Sequence, residues 1–258
     1  IVSIQILIYL ILLSLSIYNY FLIKEKNILQ RYGKNTWVVI TGGSSGQGKQ
    51  FCFEFAKRGF NIFIIGSKRI LNVKDEIRLK YPYVKIKTII KNFSKAYEDN
   101  FFSDIEKEII KISDKVSILI NNIGHRTGWN PYHKMPPNKI NDTIICGTIV
   151  QARMIRLVLP YMIKREKKSA IINITAQCLH PNIGLGIGIS NEISLPYLSV
   201  YEASNAFGFY HANSIYKEYK NQIDFLNITP GAVVTENTKY LENTIFSIES
   251  NKFVNNII

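Results

Sequence analysis

Short apolar runs alternate with longer amphipathic stretches along most of the chain. Six runs, at residues 36–40, 61–65, 85–90, 116–120, 170–174 and 225–228, have the length and the Val/Ile content of buried strands. A stretch from about 47 to 58 carries Phe51 and Phe55 on one helical face and is followed by Gly59, which favours a helix end. Alternation of this kind predicts βαβ units, and therefore an α/β fold built on a parallel sheet. Residues 128–138, rich in Pro and aromatic residues, predict an irregular loop.

The first segment has a different pattern, because residues 1–23 contain no charged side chain. A helix of this length, at about 1.5 Å per residue, crosses a hydrocarbon core of roughly 30 Å. We therefore predict a transmembrane helix at 1–23, a basic juxtamembrane linker at 24–35 and one globular domain at 36–258. A cleaved signal peptide is the alternative, but it normally has a shorter apolar region and a small-residue cleavage site.

The charges that follow this segment predict its orientation. Lys24, Lys26, Arg31 and Lys34 come directly after the apolar run. By the positive-inside tendency, the globular domain is expected on the cytosolic or matrix side of a single-pass membrane protein. A mitochondrial inner membrane and an endoplasmic reticulum membrane both fit this prediction.

The overall composition limits the possible partners. The 258 residues carry a formal charge of +13, from 32 Lys and Arg against 19 Asp and Glu, which suits anionic lipid, nucleic acid or a polyphosphate or CoA-like ligand. The basic residues are scattered, and no zinc-type spacing or aromatic-basic RNA motif is present, so nucleic acid is not an expected partner. Three distant cysteines, Cys52, Cys146 and Cys178, argue against a disulfide scaffold and favour a reducing compartment.

The strongest motif is the glycine-rich sequence TGGSSGQG at 41–48, between the first predicted strand and the first helix. Glycines in this position let the backbone turn tightly and approach a pyrophosphate, whose charge is met by the N-terminus of the helix. The motif therefore predicts a dinucleotide site on a Rossmann-like doubly wound sheet, and its alternative interpretation is a flexible turn.

Three motifs in the expected order resemble the short-chain dehydrogenase/reductase family. They are TGGSSGQG at 41–48, NNIG at 121–124 after the fourth strand, and PGAVVT at 230–235 after the sixth. Tyr32-Gly33, Trp37 and the sequence RLVLP at 156–160 are most similar to the membrane-bound branch of very-long-chain 3-ketoacyl-CoA reductases and 17β-hydroxysteroid dehydrogenase type 12. The resemblance implies a nicotinamide cofactor. It assigns to that cofactor Thr41, Gly42, Ser44, Ser45, Gly46, Gln47, Gly48, Ser67, Lys68, Arg69, Asn92, Asn122, Gly124, Tyr201, Asn205, Pro230, Gly231, Val233 and Thr235.

The end of the second strand indicates which nicotinamide cofactor to expect. NAD-binding relatives place an acidic residue there for the ribose hydroxyl, whereas this chain has Ser67, Lys68 and Arg69. This basic pair could face a 2′-phosphate, so NADPH is favoured over NADH. The alternative is that both side chains are only solvated. Asn92 stands where the family carries an Asp for the adenine.

The resemblance also implies a catalytic Tyr, Lys, Ser and Asn, and most of these are replaced. Tyr201 fits the proton donor, but the lysine of the family's YxxxK motif is Asn205. Ala176 stands at the serine position, with Thr175 one residue away as a weak substitute, and Gly147 stands at the asparagine position. Another YxxxK match, Tyr216 to Lys220, lies at the far end of the same predicted helix.

The chain further departs from the family by an insertion at about 177–196 and by a seventh strand that is expected to be missing. Together with the replaced residues, these features favour a pseudoenzyme, an accessory or structural subunit of a membrane complex that retains NADPH. The alternative is an active NADPH-dependent reductase of 3-ketoacyl-CoA or steroid ketones, with Tyr201 as acid. A third possibility is a dinucleotide-sensing binding module. Membrane lipid and other subunits of the complex are the expected partners.

Overall fold

The computed structural model describes residues 27–125, 128–176, 196–236, 238 and 247–258, together with the isolated positions 11, 14 and 18. Those three positions are helical. The rest of the predicted transmembrane segment at 1–23 lies outside the described residues, as does nearly all of the insertion at 177–196.

Six parallel strands form the central sheet, as the alternating pattern predicts. They are β1 (Trp37–Thr41), β2 (Asn61–Gly66), β3 (Ile86–Ile90), β4 (Val116–Asn121), β5 (Ser169–Ile174) and β6 (Ile223–Ile228). Their spatial order is β3-β2-β1-β4-β5-β6. The connections therefore reverse direction between β1 and β4, which is the point where ligands bind in doubly wound folds. The predicted fold class and all six predicted strands are confirmed.

Helices cover both faces of this sheet. A short helix, α1 (Ile28–Tyr32), precedes β1, and the others are α2 (Gly46–Lys57), α3 (Ile70–Lys80), α4 (Asn100–Ile110), α5 (Pro137–Ile144), α6 (Val150–Met162), α7 (Ser199–Tyr219) and α8 (Ser250–Asn255). One π-helical turn, Ile145–Ile149, joins α5 to α6. The predicted loop at 128–138 contains a short 3₁₀ turn, Tyr132–Lys134, and ends at α5, where Pro137 occupies a first-turn position that needs no N–H donor.

Alternation along each strand divides the core between the two faces. On β1, Val38 and Ile40 pack with Phe51 and Phe55 of α2, whereas Val39 belongs to the cluster on the opposite face, formed with α4 and α6. Successive side chains of a strand point to opposite sides of a sheet. Because both sides are covered, β1, β2, β4 and β5 are buried along their whole length, and each is a nearly continuous apolar run.

After β6 the chain leaves the main sheet. β7 (Ala232–Val234) and β8 (Ser247–Glu249) form a separate parallel pair, and α8 then buries Val254 beside α2. Among the described residues, β6 is the last strand on its side of the main sheet. The described part of the chain contains no further strand of that sheet.

One stretch of the described chain, Pro137–Met162, is long and apolar enough to span a bilayer. It contains α5, the π turn and α6, and 56% of its most apolar window is buried in the domain. A core helix of a globular domain has the same features.

Candidate active site

The parallel topology brings nearly all predicted site residues to one edge of the sheet. The carboxyl ends of parallel strands share an edge, and each predicted motif follows a strand end: the glycine loop follows β1, Ser67 to Arg69 follow β2, and Asn92 follows β3. The NNIG motif closes β4, Thr175 follows β5, and the PGAVVT motif follows β6. We refer to this side as the carboxyl edge.

The glycine loop is built for close backbone contact. Gly42 has φ of +73° and Gly46 has φ of +52°, a region that side-chain-bearing residues rarely adopt. A Cβ on Gly48 would stand 2.2 Å from the carbonyl oxygen of Gly42, so any larger residue would push the helix away from the loop. Ser45 caps α2 in an extended conformation without a side-chain hydrogen bond to the first turn. Hydroxyl and amide donors at this helix start therefore remain for an anion.

Asn122 fixes the loop from the neighbouring strand. Its side-chain Nδ2 donates to the carbonyl oxygens of Thr41 and Gly42 at 3.2 and 3.4 Å, and its backbone N–H donates to Thr41 Oγ1 at 3.0 Å. Gly124, two residues on, has no heavy atom of the described residues within 4 Å of a Cβ position. The two motifs therefore form one unit, with open space beside it.

The residues after β2 and β3 differ in how far their polar groups are already bonded to other parts of the protein. Arg69 pairs with Glu236 at 3.3 Å, and both side chains are exposed. Lys68 is also exposed and forms no ion pair with the described residues. Asn92 uses its Oδ1 to accept from the backbone amide of Ser94 at 3.2 Å, which leaves its Nδ2 and one oxygen lone pair for a ligand. Lys68 is therefore the more available cation of the predicted pair.

The segment after β6 closes over the glycine loop. Thr235 places its Cγ2 3.1 Å from the Cβ position of Gly46, and Thr238 donates from its hydroxyl to the carbonyl oxygen of Val233 at 2.7 Å. A loop whose glycines leave no room for a Cβ, a helix start with free donors, a lysine without an ion pair among the described residues and an adjacent open space together fit a dinucleotide phosphate. Thr41 to Gly48, Asn122 to Gly124 and Lys68 would hold it.

Tyr201 lies near the start of α7 and is half buried. Asn205, one turn along, is 9% exposed and donates from Nδ2 to the backbone oxygen of Tyr201 at 2.7 Å. Ser204 donates to the same oxygen at 2.8 Å. The amide that occupies the lysine position is thus held on its own helix, where it satisfies a backbone acceptor and carries no charge.

Gly147 lies in the π turn and touches the Tyr201 helix. A Cβ at this position would stand 2.7 Å from Ser204 Oγ and 2.8 Å from Ser204 Cβ. A π turn adds one residue to a helical turn, and such turns are frequent at functional sites. The helix is therefore irregular at Gly147, where the family carries a catalytic asparagine. The space that an asparagine side chain would need is filled by α7.

Thr175, the weak serine substitute, faces the middle of α7. Its Oγ1 donates to the carbonyl oxygen of Ile228 at 3.2 Å, and its Cγ2 lies 3.1 Å from the Cβ position of Gly208. Gly208 is seven residues beyond Tyr201, about two helical turns away. The hydroxyl hydrogen of Thr175 is therefore committed to β6.

A row of asparagines across the sheet was not predicted from the sequence. Asn121, Asn173 and Asn227 share one register on β4, β5 and β6. Their Nδ2 groups donate to backbone oxygens of Gln151, Gly208 and Phe209, at 3.1, 3.2 and 3.1 Å. Each amide thus ties α6 or α7 to the sheet. The sequence feature that could have indicated this row is an asparagine within one residue of the end of each of three apolar strands.

The Oδ1 atoms of this row form no hydrogen bond with the described residues. Buried acceptors in this state are normally met by ordered water.

The other YxxxK match lies away from the site. Tyr216 and Lys220 lie where α7 ends before β6, at the opposite end of α7 from Tyr201.

The comparisons with known proteins agree with this geometry. The model of the family described as short chain dehydrogenase matches residues 36–245. The chain is 30% identical over 244 residues to 17-beta-hydroxysteroid dehydrogenase type 3 of Homo sapiens, covering 92% of this chain and 71% of that protein. It is 28% identical over 228 residues to the very-long-chain 3-oxoacyl-CoA reductase of Rattus norvegicus, covering 86% and 67%.

A solved structure has the same fold. The short-chain dehydrogenase from Sphingobium yanoikuyae, in complex with NADPH, superposes with a TM-score of 0.70 at 20% identity and covers 85% of this chain and 82% of that one. Fold, ordered motifs and sequence similarity therefore place this chain in the short-chain dehydrogenase family, in the branch of the 17β-hydroxysteroid dehydrogenases and very-long-chain 3-oxoacyl-CoA reductases.

Proposed function

We propose that this chain is a membrane-anchored, NADPH-binding pseudoenzyme of its family that acts as an accessory subunit of a membrane complex. The observation that carries the proposal is the hydrogen bond from Asn205 Nδ2 to the Tyr201 carbonyl oxygen at 2.7 Å. A neutral amide, bound to its own helix, occupies the position from which a lysine would activate the tyrosine. The cofactor half of the site keeps its geometry, whereas the proton-donating half lacks its cation.

The separate roles of cofactor and protein in ketone reduction indicate how much of the rate should be lost. When bound, NADPH supplies a hydride to a carbonyl carbon. The protein must then supply a proton, and an unperturbed phenol has a pKa of about 10, too high for ready transfer near neutral pH. General acid catalysis contributes on the order of 10²- to 10⁴-fold, and an oxyanion donor a similar factor. With an asparagine at the lysine position, Asn205, and an alanine at the serine position, Ala176, ketone reduction is expected to be slow.

A second candidate is an active NADPH-dependent reductase of 3-oxoacyl-CoA or steroid ketones. It is favoured by the names of the relatives, which include a 17-beta-hydroxysteroid dehydrogenase and a very-long-chain 3-oxoacyl-CoA reductase. In that case Tyr201 is the acid, and Thr175 has to turn its hydroxyl hydrogen from the Ile228 oxygen to the substrate carbonyl oxygen in order to orient it.

The deciding experiment uses the detergent-solubilised full chain. NADPH binding is measured by calorimetry, and turnover is measured on the same sample with a 3-oxoacyl-CoA and a steroid ketone. Binding without turnover supports the pseudoenzyme. Turnover that disappears in Tyr201→Phe supports the reductase and refutes the pseudoenzyme, and failure to bind NADPH refutes both.

A gain-of-function variant tests the observation itself. Asn205→Lys places an ammonium one helical turn from Tyr201, and at least a tenfold rise in ketone reduction is expected. Asn205→Gln is the matched control, because it changes side-chain length without adding charge. An equal effect of the two variants would mean that the missing charge is not what limits the chemistry.

A further inference from the structure

The segments that precede the strands carry most of the net charge of the molecule. In a parallel sheet these segments all lie at one edge, opposite the cofactor site, which we call the amino edge. They are residues 33–36, 58–60, 81–85, 111–115, 163–168 and 220–222, and they contain ten basic and two acidic residues. Their net charge is +8, out of +13 for the whole chain.

The opposite edge is much less charged. The described parts of the six segments that follow the strands are longer in total, yet they contain five basic and two acidic residues, a net charge of +3. The two sets of segments lie at opposite ends of the same strands, so the fold itself separates a strongly basic edge from a weakly basic one.

Most of the amino-edge cations are not neutralised by the part of the protein that the structure describes. Arg58, Lys111 and Lys168 pair with acidic side chains. Among the described residues, the other seven form no ion pair, and six of these are exposed. The six exposed ones are Lys34, Lys85, Lys115, Lys164, Lys167 and Lys220.

A cavity of about 590 Å³ lies among these cations, lined by Tyr161, Lys164, Arg165 and Lys167 as well as Asp114 and Glu166. Arg165 donates from Nη2 to the carbonyl oxygen of Tyr32 at 2.6 Å and from Nη1 to that of Asp114 at 3.2 Å. Both acceptors are neutral, so the guanidinium charge is not cancelled. The concave part of this edge thus combines fixed positive charge with room for a headgroup.

The same edge receives the N-terminal segment. Lys167 donates to the carbonyl oxygen of Gln30 at 3.2 Å, which, with the bond from Arg165, holds α1 on the domain. Five residue steps separate Ile23, the end of the charge-free run, from Ile28, where α1 begins. An extended chain covers at most roughly 18 Å in that distance. The predicted membrane segment at 1–23 is therefore joined to α1 by a tether of at most this length.

We propose that the amino edge is a docking surface for an anionic membrane, on which it holds the domain with the carboxyl edge facing away. Exposed, unpaired lysines complement acidic lipid headgroups. Their effect acts within a Debye length of about 8 Å at physiological ionic strength, which requires the edge to lie on the bilayer. The apolar segment predicted at 1–23 supplies the tether, and the charged edge supplies the orientation.

Lysine footprinting of the full chain tests the proposal. The protein is placed in lipid nanodiscs of phosphatidylcholine alone, or with about one third phosphatidylserine, and exposed briefly to an amine-reactive acetyl ester. Labelling of each lysine is measured by mass spectrometry. Lys34, Lys115, Lys164 and Lys167 are expected to react at least about threefold more slowly in the anionic discs, and the protection is expected to disappear at high salt.

The controls lie on the opposite edge. Lys95 and Lys134 follow β3 and β4, and their labelling is expected to be the same in both kinds of disc. A Lys164→Ala/Lys167→Ala variant should weaken the protection of Lys34 and Lys115, whereas Lys95→Ala/Lys134→Ala should not. Equal labelling of the amino-edge lysines in both discs overturns the proposal. Protection that requires added RNA instead of anionic lipid overturns it as well.

Discussion

The contact between Gly147 and Ser204 yields the most specific prediction. A Cβ at position 147 would stand 2.8 Å from Ser204 Cβ and 2.7 Å from its Oγ. Ordinary carbon contacts begin near 3.5 Å, so Gly147→Ala must separate the π turn from α7 by about 0.7 Å. Overpacking of this kind costs about 1–3 kcal/mol. Alanine also gains about 1 kcal/mol over glycine in a helix, which masks part of that cost.

A double-mutant cycle cancels the gain in helix propensity that alanine has over glycine. Ser204→Gly deletes both atoms that the new Cβ would meet, and the propensity gain of alanine is the same in both backgrounds. Gly147→Ala is therefore expected to cost about 1–3 kcal/mol more in the native background than in Ser204→Gly. Thermal unfolding followed by tryptophan fluorescence measures this as about 2–4 °C for each kcal/mol.

Gly124→Ala is the matched control, because no described heavy atom lies within 4 Å of its Cβ position. It should leave the melting temperature of the cofactor-free protein nearly unchanged. A coupling energy below about 0.5 kcal/mol would refute the contact and reopen the possibility that an asparagine fits at position 147. The expected coupling means instead that restoring the family asparagine requires a change in α7 as well.

Further predictions concern charge and reactivity. Burial alone would raise the pKa of Asp224, but the hydrogen bonds from Arg31 and Tyr32 and the positive charges of Arg31 and Lys168 hold it below its ordinary value. That stabilisation is present above the unfolded pKa of about 3.9 and is lost as the pH falls through the folded pKa, so Asp224→Asn should lower the melting temperature at pH 7 by about 2–4 °C. The difference from the native chain should shrink as the pH falls below about 3.9 and through the folded pKa, and a difference independent of pH would contradict it. Burial raises the pKa of the Cys146 thiol to about 12, so iodoacetamide at pH 8 should modify this residue only in denaturant, as read by mass spectrometry. Lys68→Ala should weaken NADPH binding about tenfold without weakening NADH binding, as measured by calorimetry, whereas an equal loss for both would mean that Lys68 does not meet a 2′-phosphate.

The sequence predicted the fold because the apolar runs and glycine positions determine it locally. The strands are buried on both faces, so each is a nearly unbroken run of Val and Ile. Gly59 ends α2 at a φ of +88°, which a glycine after an amphipathic stretch indicates.

The contacts between helices could not be predicted in the same way. The hydrogen bonds of the asparagine row to α6 and α7 depend on which strands are neighbours and in what register. The packing of Gly147 on Ser204 joins residues 57 positions apart. The ion pair between Arg69 and Glu236 likewise joins distant segments that only the folded chain brings together. Site residues could therefore be predicted as a set, while their partners required the structure.

The strand order also has a consequence for how the protein is made. β1 is one of the two central strands and pairs with β2 on one side and β4 on the other. Asn121 at the end of β4 is 80 residues beyond Thr41. At a synthesis rate of about 5–20 residues per second, one edge of β1 waits roughly 4–16 s for its partner. During that interval an apolar strand with unpaired backbone groups is exposed to other nascent chains. Protection of the growing chain by a chaperone matters most in this interval, before β4 completes the centre of the sheet.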